Sequence, residues 1–289
     1  MNEISVALCT YNGGRYLRKQ LVSIVNQSYP VSEIIIVDDC SSDDTISVIE
    51  EFMAKYKFIK LYVNERNMGS NQSFRKAISL TNNDFIALCD QDDIWMTSKL
   101  ESQIKEMCKI PDFSTPTVIF HDSLVIDSHD NVIAPSFLKI RGLRPTAVTF
   151  RSILLNNIVT GCTCLINRGM KDAVLKSNMD RIIMHDYLIA LIAYGFGKAI
   201  YLDEKLMSYR SHSASVTEKN VITLRSRAKD FVNRIRNNSY LTPMIEQGIS
   251  FQKDYGKYVF GGNVKVLNNF VSLRNASLLK KICYRWSLI

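Results

Sequence analysis

The chain has 289 residues, 46% of them hydrophobic, and a formal net charge of +8. This composition predicts a globular protein with a substantial core, built as one large domain or one domain with an appendage, and it excludes a disordered chain. The charge is uneven, since residues 1–204 hold 21 Lys and Arg against 24 Asp and Glu, whereas residues 205–289 hold 15 against 4. The basic C-terminal part therefore favours an anionic partner, such as a membrane surface or a phosphorylated ligand, or is simply a soluble basic face.

The cysteines and the hydropathy pattern predict a cytoplasmic protein. The seven cysteines are odd in number, several lie in apolar runs, and none has a paired zinc-ligand spacing. This pattern favours free thiols in a reducing compartment. A strand pattern begins almost at once, without the basic and apolar segments of a signal peptide, so we expect none. No apolar run reaches about 18 residues, so we also expect no membrane-spanning helix.

The first hundred residues alternate between strand and helix patterns. Apolar runs predict four strands, at 4–9, 33–37, 59–63 and 85–88. Helical spacing predicts three helices between them, at 16–26, 45–55 and 73–80. Strands that alternate with helices of this length indicate βαβ units and a largely parallel sheet.

The rest of the chain has a different pattern. Short strands are predicted at 118–120, 123–126, 162–166, 199–202 and 206–209, with a helix at 185–194. We interpret this as a mixed extension of the sheet that closes over the ligand site and holds a second substrate. From about residue 220 the chain is predicted to be basic and helical, at 224–236, 245–259 and 278–286, with a break at 261–263.

Polar residues follow the predicted ends of three strands, at 10–12, 38–39 and 90–93. In sheets of this type, ligands bind at the carboxyl ends of the strands, near the point where the winding direction reverses. We therefore expect these three segments to meet at one edge of the sheet.

The strongest chemical signal is the group of Asp90, Asp92 and Asp93, three carboxylates within four positions directly after an apolar run. Like charges this close repel each other unless a cation neutralises them. Carboxylate oxygens suit hard cations such as Mg²⁺ or Mn²⁺, which in turn bridge phosphates. For an isolated acidic cluster, a solvated turn is the alternative interpretation.

Four further residues each allow two interpretations. Asp39 could accept a hydrogen bond from the imide N–H of uracil or thymine, while the Ser and Asp residues after it cap the next helix. Asp186 could be a general base for an attacking hydroxyl or an N-cap. His212 could lie on the surface or complete a metal shell. Arg210 could pair with phosphate or with a carboxylate of the core.

Several common catalytic motifs are missing from the sequence. The segment Asn12-Gly13-Gly14 has neither the dinucleotide fingerprint nor the Lys-Ser/Thr of a phosphate loop. The chain also has no zincin helix and no Gly-flanked nucleophilic serine. Hydride transfer and hydrolysis therefore have little support.

As a set, these segments resemble glycosyltransferase family 2, the inverting nucleotide-sugar enzymes with the GT-A fold. The matching segments occur in the family's order over roughly the first 215 residues, at 6–12, 27–30, 36–43, 67–69, 90–95 and 185–187. The Asp-Gln-Asp-Asp-Ile-Trp form and the Tyr-Arg-x-His ending look most like bacterial rhamnosyltransferase-type members. The resemblance implies an α/β fold with a mixed, mostly parallel sheet flanked by helices. It implies a catalytic domain at 1–215, with a nucleotide-binding half to about 110 and an acceptor half from 111, then a basic helical extension at 216–289.

The resemblance also implies which residues bind the nucleotide. By position these are Thr10, Tyr11, Asn12, Asp39 and Asp90. Asp39 would hold the imide nitrogen of the base, and Asp90 would contact the ribose region.

Metal binding and catalysis would fall on other positions. Asp92 would ligate the Mn²⁺ or Mg²⁺ ion that bridges the two phosphates, with His212 as a further ligand, and Asp186 would be the catalytic base. The surroundings of the donor, acceptor or diphosphate would be formed by Asp93, Trp95, Gly161, His185 and Arg210.

The activity implied is transfer of a sugar from a UDP- or dTDP-sugar, with dTDP-rhamnose among the candidates, to a growing bacterial surface glycan or its lipid-linked form. The alternative is a catalytically idle nucleotide-binding or scaffolding subunit, against which Asp92, Asp186 and His212 together argue. The Gln-x-x-Arg-Trp motif of processive members is missing, because no Gln stands three positions before Arg285. We therefore expect the addition of one or a few sugars.

The expected partners are the sugar donor and the acceptor glycan, with no nucleic acid. The segment 278–286 mixes basic and apolar residues, so it either docks at the inner face of the cell membrane or packs on protein. Formation of a homo-oligomer is left open.

Overall fold

The computed structural model describes residues 2–177, 179, 181–211 and 241–286. In these residues the strands form one nine-stranded sheet with the order β3-β2-β1-β4-β8-β6-β9-β5, and β7 pairs with β6. The strands are β1 Ile4–Thr10, β2 Glu33–Asp38, β3 Ile59–Val63, β4 Phe85–Cys89, β5 Ile94–Trp95, β6 Thr117–Ile126, β7 Val132–Ala134, β8 Leu165–Asn167 and β9 Lys198–Arg210. The four strands predicted in the first hundred residues are all present.

The helices of the described residues lie on both sides of this sheet. In chain order they are α1 Gly14–Val25, α2 Thr45–Lys55, α3 Ser70–Leu80, α4 Lys99–Met107, α5 Phe137–Ile140, α6 Phe150–Ile153, α7 Arg168–Lys176, α8 His185–Phe196, α9 Thr242–Tyr255, α10 Gly262–Val271 and α11 Leu278–Trp286. The helix predicted at 224–236 lies outside the described residues. No described helix combines the length and the apolar character needed to span a bilayer.

The pairing of the strands confirms a mixed, mostly parallel sheet. β1 pairs in parallel with β2 and β4, and β2 pairs in parallel with β3. β8 runs antiparallel to both β4 and β6, whereas β6 and β9 are parallel. The carboxyl ends of β1, β2 and β4 consequently meet at one edge of the sheet, as the sequence predicted.

Three predictions for the middle of the chain were wrong in detail. The two short strands predicted at 118–120 and 123–126 form a single strand, β6. The two short strands predicted at 199–202 and 206–209 form a single strand, β9, because its pairing with β6 continues past register shifts near Asp122. The strand predicted at 162–166 is shorter, because Gly161–Thr163 forms a 3-10 turn before β8 begins at Leu165.

The two faces of the sheet pack against separate hydrophobic clusters. In β1, Val6 and Leu8 belong to the cluster with α1, α2 and α4, whereas Ala7 between them belongs to the cluster with α3, α7 and α8. This alternation is that of a strand buried on both faces. It explains why the first strands are almost uniformly apolar.

The C-terminal helices pack on the second of these clusters. Phe251 and Tyr255 of α9 are fully buried, and both rings contact Phe196 at the end of α8. The hydroxyl of Tyr255 donates a hydrogen bond to the Ala173 carbonyl at 2.7 Å. The described part of the basic tail is therefore continuous with the core of the preceding residues.

Candidate active site

The carboxyl ends of β1 and β2 are joined by a network of short hydrogen bonds. The Thr10 hydroxyl donates to Asp38 Oδ2 at 2.6 Å, and the Asp39 N–H donates to the Thr10 carbonyl at 2.8 Å. Thr10 and Asp39 are both buried. These bonds hold the Asp39 side chain in a fixed position beside the strand ends.

The Asp39 carboxylate accepts three hydrogen bonds from the loop that precedes α3. Its Oδ1 accepts from Asn64 Nδ2 and from the Met68 N–H, and its Oδ2 accepts from the Gly69 N–H, each at 2.8 Å. Burial raises the pKa of Asp39, but these hydrogen bonds outweigh burial and lower it below its ordinary value. Asp39 is thus held as a carboxylate, which can act only as a hydrogen-bond acceptor.

Tyr11 and Asn12 form the turn after β1. The Tyr11 N–H donates to Gln91 Oε1 at 2.7 Å and the Tyr11 carbonyl accepts from Gln91 Nε2 at 3.0 Å, which ties this turn to the acidic segment after β4. The Tyr11 side chain is 48% exposed, so its ring can contact a ligand. Asn12 has a φ of +48°, and its side chain accepts from the Ser42 N–H at 2.8 Å.

The acidic residues after β4 form a compact cluster with one cysteine. One carboxylate oxygen each of Asp90 and Asp93 and the Sγ of Cys162 all lie within 4.8 Å of one another. Asp93 is buried and accepts a hydrogen bond through Oδ1 from the Arg210 N–H at 3.0 Å. No described N–H or O–H group donates to its Oδ2. Burying a carboxylate oxygen without such a donor costs free energy unless a positive group, such as a cation, lies beside it.

The electrostatics of this cluster link it to the start of α8. Burial raises the pKa of Asp90 to about 7, and the charges of Asp92 and Asp186 add to the increase. Burial also raises the pKa of Asp93, again with contributions from Asp92 and Asp90. The Gly161 N–H bonds to Asp186, and the next residue, Cys162, lies in the cluster with Asp90 and Asp93, so the acidic segment and Asp186 share one site.

Asp39 belongs to the same site. Burial raises the pKa of the Cys9 thiol, and the charges of Asp90 and Asp39 raise it further. β1 pairs with β2 on one side and with β4 on the other, so Cys9 near its end lies between the Asp39 loop and the acidic segment. The three segments predicted to meet at the edge of the sheet, at 10–12, 38–39 and 90–93, do so.

Asp186 stands in the first turn of α8, but its carboxylate bonds to another segment. Oδ2 accepts from the Gly161 N–H at 3.1 Å, and Oδ1 accepts from Asn157 Nδ2 at 3.0 Å. The N-cap of α8 is Met184, so Asp186 does not occupy the capping position. Burial raises the pKa of Asp186 to about 6, against the opposing effect of these hydrogen bonds.

His185 is buried beside this carboxylate in a neutral form. Its ring stacks on Phe74 with 3.9 Å between centroids, and burial lowers its pKa to about 3. Neither ring nitrogen has a hydrogen-bond partner in the described part of the chain. A Cβ at Gly161 would lie 2.7 Å from His185 Nε2, so the absence of a side chain at Gly161 allows this close approach.

Arg210 contacts the acidic segment through both its backbone and its side chain. The side chain is fully buried, Nε donates to the Asp92 carbonyl at 2.7 Å, and Nη1 lies 2.5 Å from Asp130 Oδ1. Its guanidinium also stacks over Tyr16 at 4.6 Å. Of the two interpretations of Arg210, these contacts favour pairing with a carboxylate over pairing with phosphate, although the carboxylate is that of the partly exposed Asp130.

Two further predicted site residues differ from their expected placement or cannot be located. Trp95 is 3% exposed and lies in the hydrophobic cluster with α1 and α4, with the Lys99 ammonium 4.0 Å from its ring. This burial does not support a contact with donor or acceptor, because β5 turns the indole into the core. His212 lies outside the described residues.

Sequence reasoning missed four residues that shape this site. Gln91 and Asn64 orient Tyr11 and Asp39, Asn157 holds Asp186, and Cys162 joins the acidic cluster. Gln91 stands within the acidic segment and could have been inferred from that position. The other three lie far along the chain from their partners, and nothing in their local sequence marks them.

Comparisons with known proteins identify the family of this chain. Residues 5–171 match the sequence model of glycosyl transferase family 2. TuaG of Bacillus subtilis, a putative teichuronic acid biosynthesis glycosyltransferase, is 26% identical over 217 residues, which cover 74% of this chain and 81% of TuaG. The dTDP-rhamnosyl transferase RfbG of Shigella flexneri is 28% identical over 228 residues, which cover 74% of each chain.

Among solved structures, residues 1–349 of Staphylococcus aureus TarS in complex with UDP-GlcNAc have a similar fold. The TM-score is 0.61 at 18% identity, over 93% of this chain and 70% of the TarS chain. The mostly parallel sheet, with its acidic residues at the carboxyl edge, is the GT-A arrangement of nucleotide-sugar enzymes. The chain belongs to glycosyl transferase family 2, and it is a glycosyltransferase.

Proposed function

We propose that the enzyme transfers a sugar, with inversion, from a nucleoside-diphosphate donor to a hydroxyl of a growing bacterial surface glycan. UDP- and dTDP-sugars are the candidate donors, and dTDP-rhamnose is one of them. The names of two relatives support the proposal. TuaG is named for teichuronic acid biosynthesis, which supports a glycan product, and RfbG is named for dTDP-rhamnosyl transfer, which supports the donor. The acceptor is a glycan, either free or linked to a lipid.

The observation that carries the proposal is the environment of Asp186. Its carboxylate is held by two donors from outside its own helix, and burial raises its pKa to about 6. A group with this pKa is mostly ionised at neutral pH and is a stronger base than an ordinary aspartate. These properties suit a general base that takes a proton from an acceptor hydroxyl.

The nucleotide would bind across the ends of β1, β2 and β4. Asp39, held as a carboxylate, would accept the imide N–H of uracil or thymine, and the exposed Tyr11 would contact the base. Thr10 and Asn12 would support this pocket, and Asp90 would contact the ribose region.

The acidic cluster suits a divalent cation. Asp90 and Asp93 supply oxygen ligands within one small volume, and no described N–H or O–H group serves Asp93 Oδ2. Burial raises the pKa of Cys162, so its thiol stays protonated and is a poor ligand. Oxygen donors of this kind favour Mg²⁺ or Mn²⁺ over zinc.

We infer that Asp92, with Asp90 and Asp93 beside it, would hold this cation, and that His212 is a further candidate ligand. A bound cation would neutralise the charge that grows on a departing diphosphate. Gly161 and His185 would line the passage for the donor sugar, next to the base. Arg210 would act by fixing the acidic segment from behind.

The transfer itself is a single displacement. The acceptor oxygen attacks the anomeric carbon from the face opposite the diphosphate, and its proton passes to the Asp186 carboxylate. The bond between the anomeric carbon and the diphosphate oxygen breaks, and the electron pair leaves with the nucleoside diphosphate. Attack from the opposite face inverts the anomeric configuration.

The competing proposal is a catalytically idle nucleotide-binding or scaffolding subunit. Such a protein has no use for a carboxylate whose raised pKa costs stability at neutral pH. Thermal unfolding with UDP, dTDP and GDP in the presence of Mn²⁺ tests donor class, because stabilisation follows affinity. Selective stabilisation by UDP or dTDP together with turnover of a matching sugar nucleotide would support the enzyme. Stabilisation without any turnover across donors and acceptors would support the idle subunit.

We further propose that residues 1–215 form the catalytic domain, with 1–110 for the nucleotide and 111–215 for the acceptor, and that 216–289 is an extension. The enzyme would act in the cytoplasm, at the inner face of the membrane.

A further inference from the structure

A groove lies where the C-terminal helices meet α6. It has a volume of about 530 Å³ and lies between α6, α10 and α11. Its lining combines two basic side chains with polar and apolar ones, namely Arg151, Val266, Asn269, Ser272, Leu273, Lys280, Cys283 and Tyr284. None of the residues used at the catalytic edge of the sheet lines it.

Both chain segments that carry the basic residues of the groove lack acidic residues. No Asp or Glu occurs in 131–171, which holds Arg151, or in 255–289, which holds Lys280. Lys280 is exposed, and its ammonium forms no ion pair within the described ranges. The groove is therefore complementary to an anion along both of the segments that build it.

Arg151 is fixed on one wall of the groove by α11. Its Nη2 donates to the Tyr284 carbonyl at 3.1 Å, and its guanidinium lies over the Tyr284 ring at 4.5 Å. The Tyr284 ring in turn packs on Phe270 of α10, with 5.7 Å between centroids. A guanidinium held in this way has lost its side-chain freedom before any ligand arrives, which favours binding.

Apolar residues are exposed beside the basic ones. Leu279 is 74% exposed and stands four positions before Cys283, which lines the groove, so the two side chains lie on the same face of α11. Val264, in the first turn of α10, is also exposed. A basic surface with protruding aliphatic side chains is typical of helices that lie at a membrane interface.

We propose that this groove binds the phosphate headgroup of an anionic membrane lipid, so that the enzyme docks on the membrane through α10 and α11. Arg151 and Lys280 contact the phosphate, and Leu279 enters the region between the headgroups and the acyl chains. The proposal concerns a site apart from the catalytic edge, and it holds for any donor sugar.

The position of α6 gives this docking a consequence for the reaction. α6 carries Arg151 and ends at Ile153, and Asn157, four positions later, donates a hydrogen bond to Asp186 Oδ1 at 3.0 Å. The wall of the groove that α6 forms is therefore only a few residues along the chain from the proposed base, where an acceptor has to arrive.

Co-sedimentation of the full chain with lipid vesicles tests the proposal. We expect binding to vesicles that contain phosphatidylglycerol and little binding to phosphatidylcholine alone. Lys280→Glu should weaken binding to the anionic vesicles about tenfold or more. Leu279→Gln should weaken it as well, with circular dichroism used to show that both variants are folded.

Lys55→Glu is the matched control. Lys55 is exposed in the last turn of α2, which packs on the other face of the sheet from the C-terminal helices, and the substitution changes the net charge equally. We expect it to weaken binding by no more than about threefold, because a charge away from the docked face is screened by salt. Equal losses for Lys280→Glu and Lys55→Glu would overturn the groove in favour of diffuse attraction, and no loss for either would overturn docking through this face.

A second experiment distinguishes binding of a lipid headgroup from binding of free phosphate. Inorganic phosphate is added to vesicle-bound protein at a constant ionic strength. If the groove serves lipid, a large excess of inorganic phosphate leaves the protein on the vesicles. Complete release by inorganic phosphate, with Lys280→Glu losing phosphate binding in calorimetry, would identify a free-phosphate site and refute membrane docking.

Discussion

Replacing Asp186 with Asn tests the proposed base through both kinetics and stability. The substitution removes the proton acceptor without changing the shape of the side chain. General base catalysis contributes about 10²- to 10⁴-fold, so kcat should fall by that factor. UDP or dTDP should still raise the thermal midpoint as in the wild type, because Asp186 does not bind the nucleotide in this proposal.

The effect on stability follows from the raised pKa of Asp186. The increase from 3.8 to about 6 corresponds to roughly 3 kcal/mol at 1.36 kcal/mol per unit. The carboxylate is partly exposed, so we discount this to about 2 kcal/mol. Since the folded state holds the proton more tightly than the unfolded state, the wild type loses this stability as pH rises from about 4 to above 6.

The Asn variant carries no charge and escapes this loss. It has a constant cost of about 1–3 kcal/mol, because its amide N–H must face one of the two donors, Gly161 N–H or Asn157 Nδ2. The free energy of unfolding of Asp186→Asn relative to the wild type should therefore increase by about 2 kcal/mol between about pH 4 and pH 8.

Urea unfolding at the two pH values, in the presence of a chelator, measures this difference. The pH profile of kcat/KM in the wild type should show an ionisation at about 6 that disappears in the variant. Asp172→Asn, at an exposed carboxylate of α7, is the control and should alter neither measurement. A stability difference that does not change with pH, or full turnover by Asp186→Asn, would refute the assignment of Asp186.

Three other outcomes are expected. Removal of divalent cations with EDTA should abolish transfer and Mn²⁺ or Mg²⁺ should restore it, while Asp92→Asn should raise the half-saturating cation concentration about tenfold or more in activity assays. Asp39→Asn should reduce the thermal stabilisation by UDP and cost about 1–3 kcal/mol in urea unfolding, because a backbone N–H loses its acceptor; unchanged UDP binding would contradict its role. Arg210→Met should cost about 1–3 kcal/mol, because the Asp92 and Asp127 carbonyls lose a buried donor, whereas Asp130 is partly exposed and keeps Lys19. In the same assay Arg18→Met, at an ion pair more than half exposed, should cost less than about 1 kcal/mol.

Much of the fold could be predicted because its signals are local. The first four strands are apolar runs bounded by helical spacing, and a strand buried on both faces needs such a run. β9 could not be predicted as a single strand from local sequence, because its pairing with β6 continues through a stretch that looks like a turn in the sequence. The length of such a strand depends on the strand that it pairs with, and local sequence does not identify that partner.

The site likewise has a part that could be predicted from the sequence and a part that could not. The sequence by itself determined that Asp39 and the acidic segment from Asp90 meet at one edge, because parallel strands place their carboxyl ends together. Only the tertiary structure decided that Arg210 supports the acidic segment from behind, that Trp95 turns into the core, and that Cys162 joins the carboxylates. These outcomes depend on contacts between residues far apart in the chain, where burial and geometry rather than residue type select the partner.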